Sequence, residues 1–148
     1  MFYDKIDYTI IKESWNIISK YIKLPYTIHI VGTNGKGSTG RYLASLLNQQ
    51  NQSVIHYSSP HILHFNERIW IEGEDVSNEL LEETHSKLQS LLPLNLLDKL
   101  TYFEYTTLLA LYLSNDKDYL ILEAGLGGEF DATNVVKNDL SIITTIGL

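Results

Sequence analysis

The 148-residue chain is 44% hydrophobic and 20% charged with a formal net charge of −7, a globular composition that excludes a disordered or collagen-like protein. It has no cysteine, which excludes a disulfide scaffold, a thiolate metal site and a cysteine nucleophile. The charge is uneven: residues 1–60 hold six Lys/Arg against three Asp/Glu, and residues 61–148 hold five against fifteen. With Arg41 and Arg68 as its two arginines, the chain lacks the basic face that nucleic acid requires. No apolar run reaches the roughly 18–20 residues of a membrane helix. The start, Met1 to Ile10, lacks a basic segment followed by an apolar one, so a cytoplasmic protein with small-molecule partners is expected.

In chain order, Ile6, Ile10, Ile11, Trp15, Ile18 and Ile22 recur at helical spacing and predict an amphipathic helix over 5–23, ended by Leu24-Pro25. Residues 27–31 are short, β-branched and apolar, as in a buried parallel strand. A glycine-rich turn leads to a helix over about 38–50, with Tyr42, Leu43, Leu46 and Leu47 as its inner side. Residues 54–57 read as a second strand. A long excursion, 58–76, contains a strand-like piece over 68–72, and long loops are often functional. Ser77 has the character of an N-cap for a helix running to about Leu92. Thr101 and Glu104 form a capping box opening a helix to about Leu113. Residues 119–122 and 140–146 are the third and fourth strands, with a break at Gly125-Leu126-Gly127-Gly128 between them. This alternation predicts an α/β fold, a mostly parallel sheet flanked by helices, with ligands at the carboxyl ends of its strands.

Three of those ends carry chemistry. Gly32-Thr33-Asn34-Gly35-Lys36-Gly37-Ser38 joins a strand to a helix, so backbone amides, a helix N-terminus and a lysine converge where an anion would sit. It departs from the strict P-loop because Ile30 holds the place of the first glycine. Gly35, Gly37 and Gly40 also spell a dinucleotide fingerprint, but the next strand ends without an acid, and the lysine favours a triphosphate; a purely structural turn is the third reading. Ser58-Ser59-Pro60-His61, followed by Phe65-Asn66-Glu67-Arg68, offers a hydroxyl to a phosphate-bound magnesium ion, or is a solvated Ser-Pro turn. Glu123, at a strand end, is placed as a magnesium ligand or a paired structural acid. Asp131-Ala132-Thr133-Asn134 is a turn or a second layer around the phosphates; the capping box already accounts for Glu104.

Together GTNGKGS at 32–38, YSSPHILHFNERI at 57–69, YFE at 102–104, LEAGLGGEFDATN at 122–134 and ITTIGL at 143–148 resemble folylpolyglutamate synthase and its dihydrofolate synthase relatives, of the Mur ligase superfamily. The resemblance covers about residues 27–148 in the family's order; residues 1–26 lack the Gly-Leu-Glu-Arg stretch common before the first strand. It implies a P-loop-containing, Mur-ligase-like central domain that binds ATP through Thr33, Asn34, Gly35, Lys36, Gly37 and Ser38. Ser59 and Glu123 would ligate Mg2+, Lys36 and Glu123 would be the catalytic pair, and His61, Phe65, Asn66, Glu67 and Arg68 would lie in the loop shaping the substrate site. The implied reaction adds L-glutamate to a folate or to dihydropteroate through an acyl phosphate. It further implies a metal-binding histidine just after Leu148, a lysine beyond it, and a second domain bearing the glutamate pocket. Residues 1–148 would then be the incomplete N-terminal ATP-binding domain, inactive alone, of a protein that is monomeric when full length. The rivals are a small P-loop-type NTPase or kinase, and an inactive nucleotide-binding module.

Overall fold

The computed structural model describes residues 8–126 and 131–147. Six strands form one sheet: β1 (Tyr26–Val31), β2 (Val54–Tyr57), β3 (Ile69–Ile71), β4 (Glu74–Asp75), β5 (Tyr119–Glu123) and β6 (Leu140–Ile143). Their spatial order is β4-β3-β2-β5-β1-β6. The β1, β2, β5 and β6 pairings are parallel, and β3 and β4 extend the sheet antiparallel. The helices are α1 (Thr9–Ile18), α2 (Lys36–Gln49), α3 (Asn78–Leu91), the single turn α4 (Leu94–Leu97) and α5 (Tyr102–Leu113).

The central strands are buried on both faces, which is why they read as continuous apolar runs. Alternate residues serve two cores. Ile55, Tyr57, Leu120 and Leu122 pack with Ile11 and Ile18 of α1, Leu88 of α3 and Leu108 and Leu111 of α5. Ile28, Ile30, Val54 and Ile121 pack with Ala44 of α2. Truncating one of these fully buried aliphatics to alanine would cost about 2–5 kcal/mol. Glu123 follows Ile121 by two residues and so faces α2.

Several elements differ from the sequence reading. The first helix covers Thr9–Ile18, with a turn over 19–21 ending it, and buries Ile11, Ser14 and Ile18; Ile10, Trp15 and Ile22 are half-buried and Ile6 lies outside the described residues. Helix α2 begins at Lys36 because Gly35, left-handed at φ 82°, turns the chain straight into it. Its inner face is Gly40 and Ala44, with Leu43 and Leu47 beside them, whereas Tyr42 is 69% exposed and Leu46 is exposed too. Small residues win that face because α2 lies so close to β2 that a Cβ at Gly40 would collide with the His56 ring. His56 is buried there and burial lowers its pKa to about 3, so it is neutral.

The strand-like piece in the excursion is half of a hairpin. Glu72 and Gly73 both have positive φ, the geometry of a tight two-residue connection, and return the chain as β4. Strand β6 stops at Ile143, and residues 144–147 instead bend over the glycine-rich turn. Gly127 and Gly128 of the expected break lie outside the described residues. The two helix starts read from sequence hold. Ser77 caps α3 by accepting from the Leu80 amide, and the Thr101–Glu104 box caps α5, with Glu104 Oε2 accepting from the Thr101 amide at 2.8 Å.

Candidate functional site

Parallel β1, β5 and β2 deliver their carboxyl ends to one edge, and the motifs meet there. After Val31 the backbone opens at Gly32, with φ 141°, a conformation that side chains disfavour. The turn's front half is tied down. The amides of Thr33 and Asn34 donate to the Thr145 carbonyl at 2.8 and 3.3 Å, and the Gly147 amide donates to Thr33 Oγ1 at 3.0 Å. Its back half is the first turn of α2, where Lys36, Gly37 and Ser38 direct amides outward, because a helix leaves its first donors without intrahelical acceptors. Lys36 Nζ donates to the Gly32 carbonyl at 2.9 Å, so its charge hangs over the turn.

Glu123 lies beneath this turn. Its carboxylate is 5% exposed, and Oε2 accepts from the Ser59 amide at 3.2 Å. A Cβ placed at Gly37 would lie 3.3 Å from Oε2, so α2 starts directly over the carboxylate. Burial raises the Glu123 pKa; the Ser59 amide and the Lys36 charge pull it back, and the Asp131 charge raises it further. The structure therefore brings Lys36, Gly37, Ser59 and Glu123 to one place. Val31, Gly32, Thr33, Lys36, Gly125, Leu126, Ile143 and Ile146 line an open cleft of about 510 Å3 beside them.

No group of three His, Asp or Glu side chains able to hold a metal ion exists among the described residues. The donors fit a magnesium ion all the same, since Mg2+ is usually held by one or two carboxylates together with phosphates and water. A buried carboxylate beside the N-terminal turn of a helix is that kind of half-site.

Apart from Ser59, the excursion residues singled out in the sequence are held by their own loop and its neighbours. The Ser58 amide donates to the Arg68 carbonyl at 2.8 Å and closes the loop's neck, and the Ser59–Pro60 peptide within it is cis. Glu67 accepts from the amides of Ile62, Leu63 and His64 at 2.7–2.8 Å, which lowers its pKa to about 2. Asn66 Nδ2 donates to the Val76 carbonyl, and buried Arg68 donates through Nε to His61 Nδ1 at 2.9 Å. The Arg68 guanidinium also lies over the Tyr102 ring, and Phe65 meets the same ring edge-on. Asn66, Glu67 and Arg68 thus hold the loop's shape, while Ile62 and Leu63 project from it, 88% and 77% exposed.

Sequence reasoning underweighted Asp131. Its side chain caps a 3₁₀ turn, Ala132–Val135, and its Oδ2 accepts from the amides of Gly125 and Leu126 at 2.8 and 2.9 Å. The signal was present, as an Asp two residues before a Thr can accept from the Thr amide in a local turn. The contacts of Thr144, Thr145 and Gly147 with the glycine-rich turn had no local signal.

No family model matches the chain. A curated "Dihydrofolate synthase/folylpolyglutamate synthase" of Haemophilus influenzae is 44% identical over 127 residues, 84% of this chain and 28% of that protein. The crystal structure of Helicobacter pylori folylpolyglutamate synthetase superposes with a TM-score of 0.88 at 45% identity, over 97% of this chain and 38% of that one. A bifunctional folylpolyglutamate synthase/dihydrofolate synthase with Mn, AMPPNP and L-glutamate bound superposes at 0.84 and 34% identity, over 99% of this chain and 36% of that one. In sequence and in fold alike, this chain is similar to the folylpolyglutamate and dihydrofolate synthases, and spans 28% to 38% of the length of the three relatives compared.

Proposed function

We propose that this chain is the ATP- and magnesium-binding portion of an ATP-dependent ligase that joins L-glutamate to a folate or to dihydropteroate. The observation that carries the reading is the stacking of the α2 start, with Lys36, directly over buried Glu123 at the edge where three parallel strands end. The printed ligands of the bifunctional relative, a nucleotide analogue, a divalent metal and glutamate, support the same chemistry.

In this reading the first-turn amides of α2 and Lys36 Nζ bind the β- and γ-phosphates, Lys36 exchanging the Gly32 carbonyl for phosphate oxygen. Thr33 and Asn34 shape the turn, their amides being engaged by Thr145, and Gly35, Gly37 and Ser38 supply close backbone approach. Glu123 and the Ser59 hydroxyl would hold Mg2+, which when bound neutralises charge on the phosphates. A substrate carboxylate oxygen attacks the γ-phosphorus and ADP departs. The glutamate amine then attacks the acyl carbon, losing a proton, and inorganic phosphate leaves as the amide forms. This chain's contribution is positioning and charge neutralisation. His61, Phe65 and Arg68 belong to the loop bordering the acceptor substrate, with Asn66 and Glu67 keeping it in shape.

A chimera tests the reading. Residues 27–147 replace the matching segment of the Haemophilus influenzae relative, and ADP release is followed with and without glutamate and a pteroate substrate. Release that needs both substrates supports the ligase. Release that needs neither supports an NTPase, and folded protein without release supports a binding module.

A further inference from the structure

A buried chain of polar groups runs behind the cleft wall. Asp131, Thr133 and His29 are 5%, 1% and 5% exposed. Thr133 Oγ1 donates to Asp131 Oδ1 at 2.5 Å, and His29 Nε2 lies 2.7 Å from the same Oγ1. The proton inventory fixes the directions. A carboxylate can only accept, so the single hydroxyl proton of Thr133 goes to Asp131, and Oγ1 must accept from His29. Nε2 of His29 therefore carries a proton, and the burial that lowers the His29 pKa favours the neutral ring. At the far end Asp131 Oδ2 receives the amides of Gly125 and Leu126, and Tyr8 of the segment leading into α1 donates to the Asp131 carbonyl at 2.7 Å.

His29 lies in the middle of β1, the strand leading into the glycine-rich turn, and Gly125 and Leu126 line the cleft opposite that turn. The Gly125 position is also confined. A Cβ there would collide with the Phe103 ring and approach Asp131 Oδ2 to 3.1 Å. We propose that His29 and Thr133 are positioning residues: through Asp131 they lock the Gly125–Leu126 wall to β1, holding the cleft at the width that accepts a magnesium-bound nucleotide. The assignment of nucleotide to the cleft rests on the proposed function; the relay itself rests on the hydrogen bonds alone. Neither His29 nor Thr133 lines the cleft.

The test uses the 148-residue chain, Thr133→Val and Thr133→Ser, with three readings: the His29 tautomer by 15N NMR, exchange of the Gly125 and Leu126 amides, and affinity for ADP with Mg2+. The expected result is an Nε2–H tautomer in the wild type. Thr133→Val should lose about tenfold in protection at those two amides and about tenfold in ADP affinity, while Thr133→Ser retains both. A wild-type His29 carrying its only ring proton on Nδ1 would overturn the relay even if Thr133→Val failed to fold. Unchanged amide exchange and affinity in a folded Thr133→Val would overturn it as well. A wild-type chain with the predicted tautomer and protected amides that binds no ADP would overturn the nucleotide reading, and with it the positioning role.

Discussion

The glycine-rich turn and the excursion loop over 58–76 follow β1 and β2, which flank β5, yet they settle their polar groups in opposite ways. In the excursion the anion is internal: Glu67 takes three amides of its own loop, and Arg68 is engaged by His61. In the glycine-rich turn the first turn of α2 carries no acid of its own: Lys36 rests on the Gly32 carbonyl, and the nearest carboxylate, Glu123, comes from β5 and accepts from the Ser59 amide, not from the turn's amides. A loop that supplies its own anion is finished before any ligand arrives. A loop that supplies only donors is completed by an anion from outside. Motif matching treats the two alike, whereas their hydrogen bonds make one a frame and leave the other, in the proposed reading, to act as a receptor.

The largest way to break this contrast is Gly32→Ala. A methyl group there would collide with the Thr144 side chain on a backbone at φ 141°. Strain and crowding together should cost about 3 kcal/mol and dislodge residues 144–147, lowering the melting temperature and abolishing ADP binding. A variant that melts and binds like the wild type would show that the turn does not need this geometry.

Glu123→Gln separates stability from function. Burial raises the Glu123 pKa above its ordinary 4.5, so the stability this carboxyl adds is complete below that value and is lost as pH rises through the folded value. The glutamine variant should therefore match or exceed the wild type in chemical denaturation at pH 7, with the difference closing near pH 4.5. The tightening of ADP binding by Mg2+ should fall by about 10- to 100-fold. Loss of stability at pH 7 with intact magnesium dependence would make Glu123 a structural acid.

The smallest effect belongs to the frame. Glu67→Gln removes an acceptor whose pKa sits at about 2, so its contribution is present above 4.5 and disappears as pH falls towards 2. Amide exchange at residues 62–64 should quicken at neutral pH with little change in the global melt. ADP affinity should not move, since Glu67 does not line the cleft beside Lys36.

How legible each part was follows from the range of the interactions behind it. Buried parallel strands, the Ser77 cap and the Thr101–Glu104 box are local patterns and were readable. The placement of Glu123 was readable because a strand's end and alternation fix which face a residue meets. The inner face of α2 was not, because Gly40 is favoured there by a His56 ring sixteen positions away and not by any helical periodicity. The β3–β4 hairpin had a local signal in Glu72-Gly73 that the surrounding polar residues obscured. The contact of Thr145 with Thr33 and Asn34 joins segments more than a hundred residues apart, and only the fold reveals that it consumes two amides of the turn.

The most direct measurement of the central claim is calorimetric titration of ADP into the 148-residue chain and its Lys36→Ala variant, each with and without Mg2+. The account predicts binding by the wild type that strengthens with Mg2+, and a loss of about 10- to 100-fold in a folded Lys36→Ala, the worth of one charge-assisted contact to phosphate. Equal ADP affinity in the two proteins would contradict it, because Lys36 would then be a clasp on the Gly32 carbonyl and not a phosphate ligand.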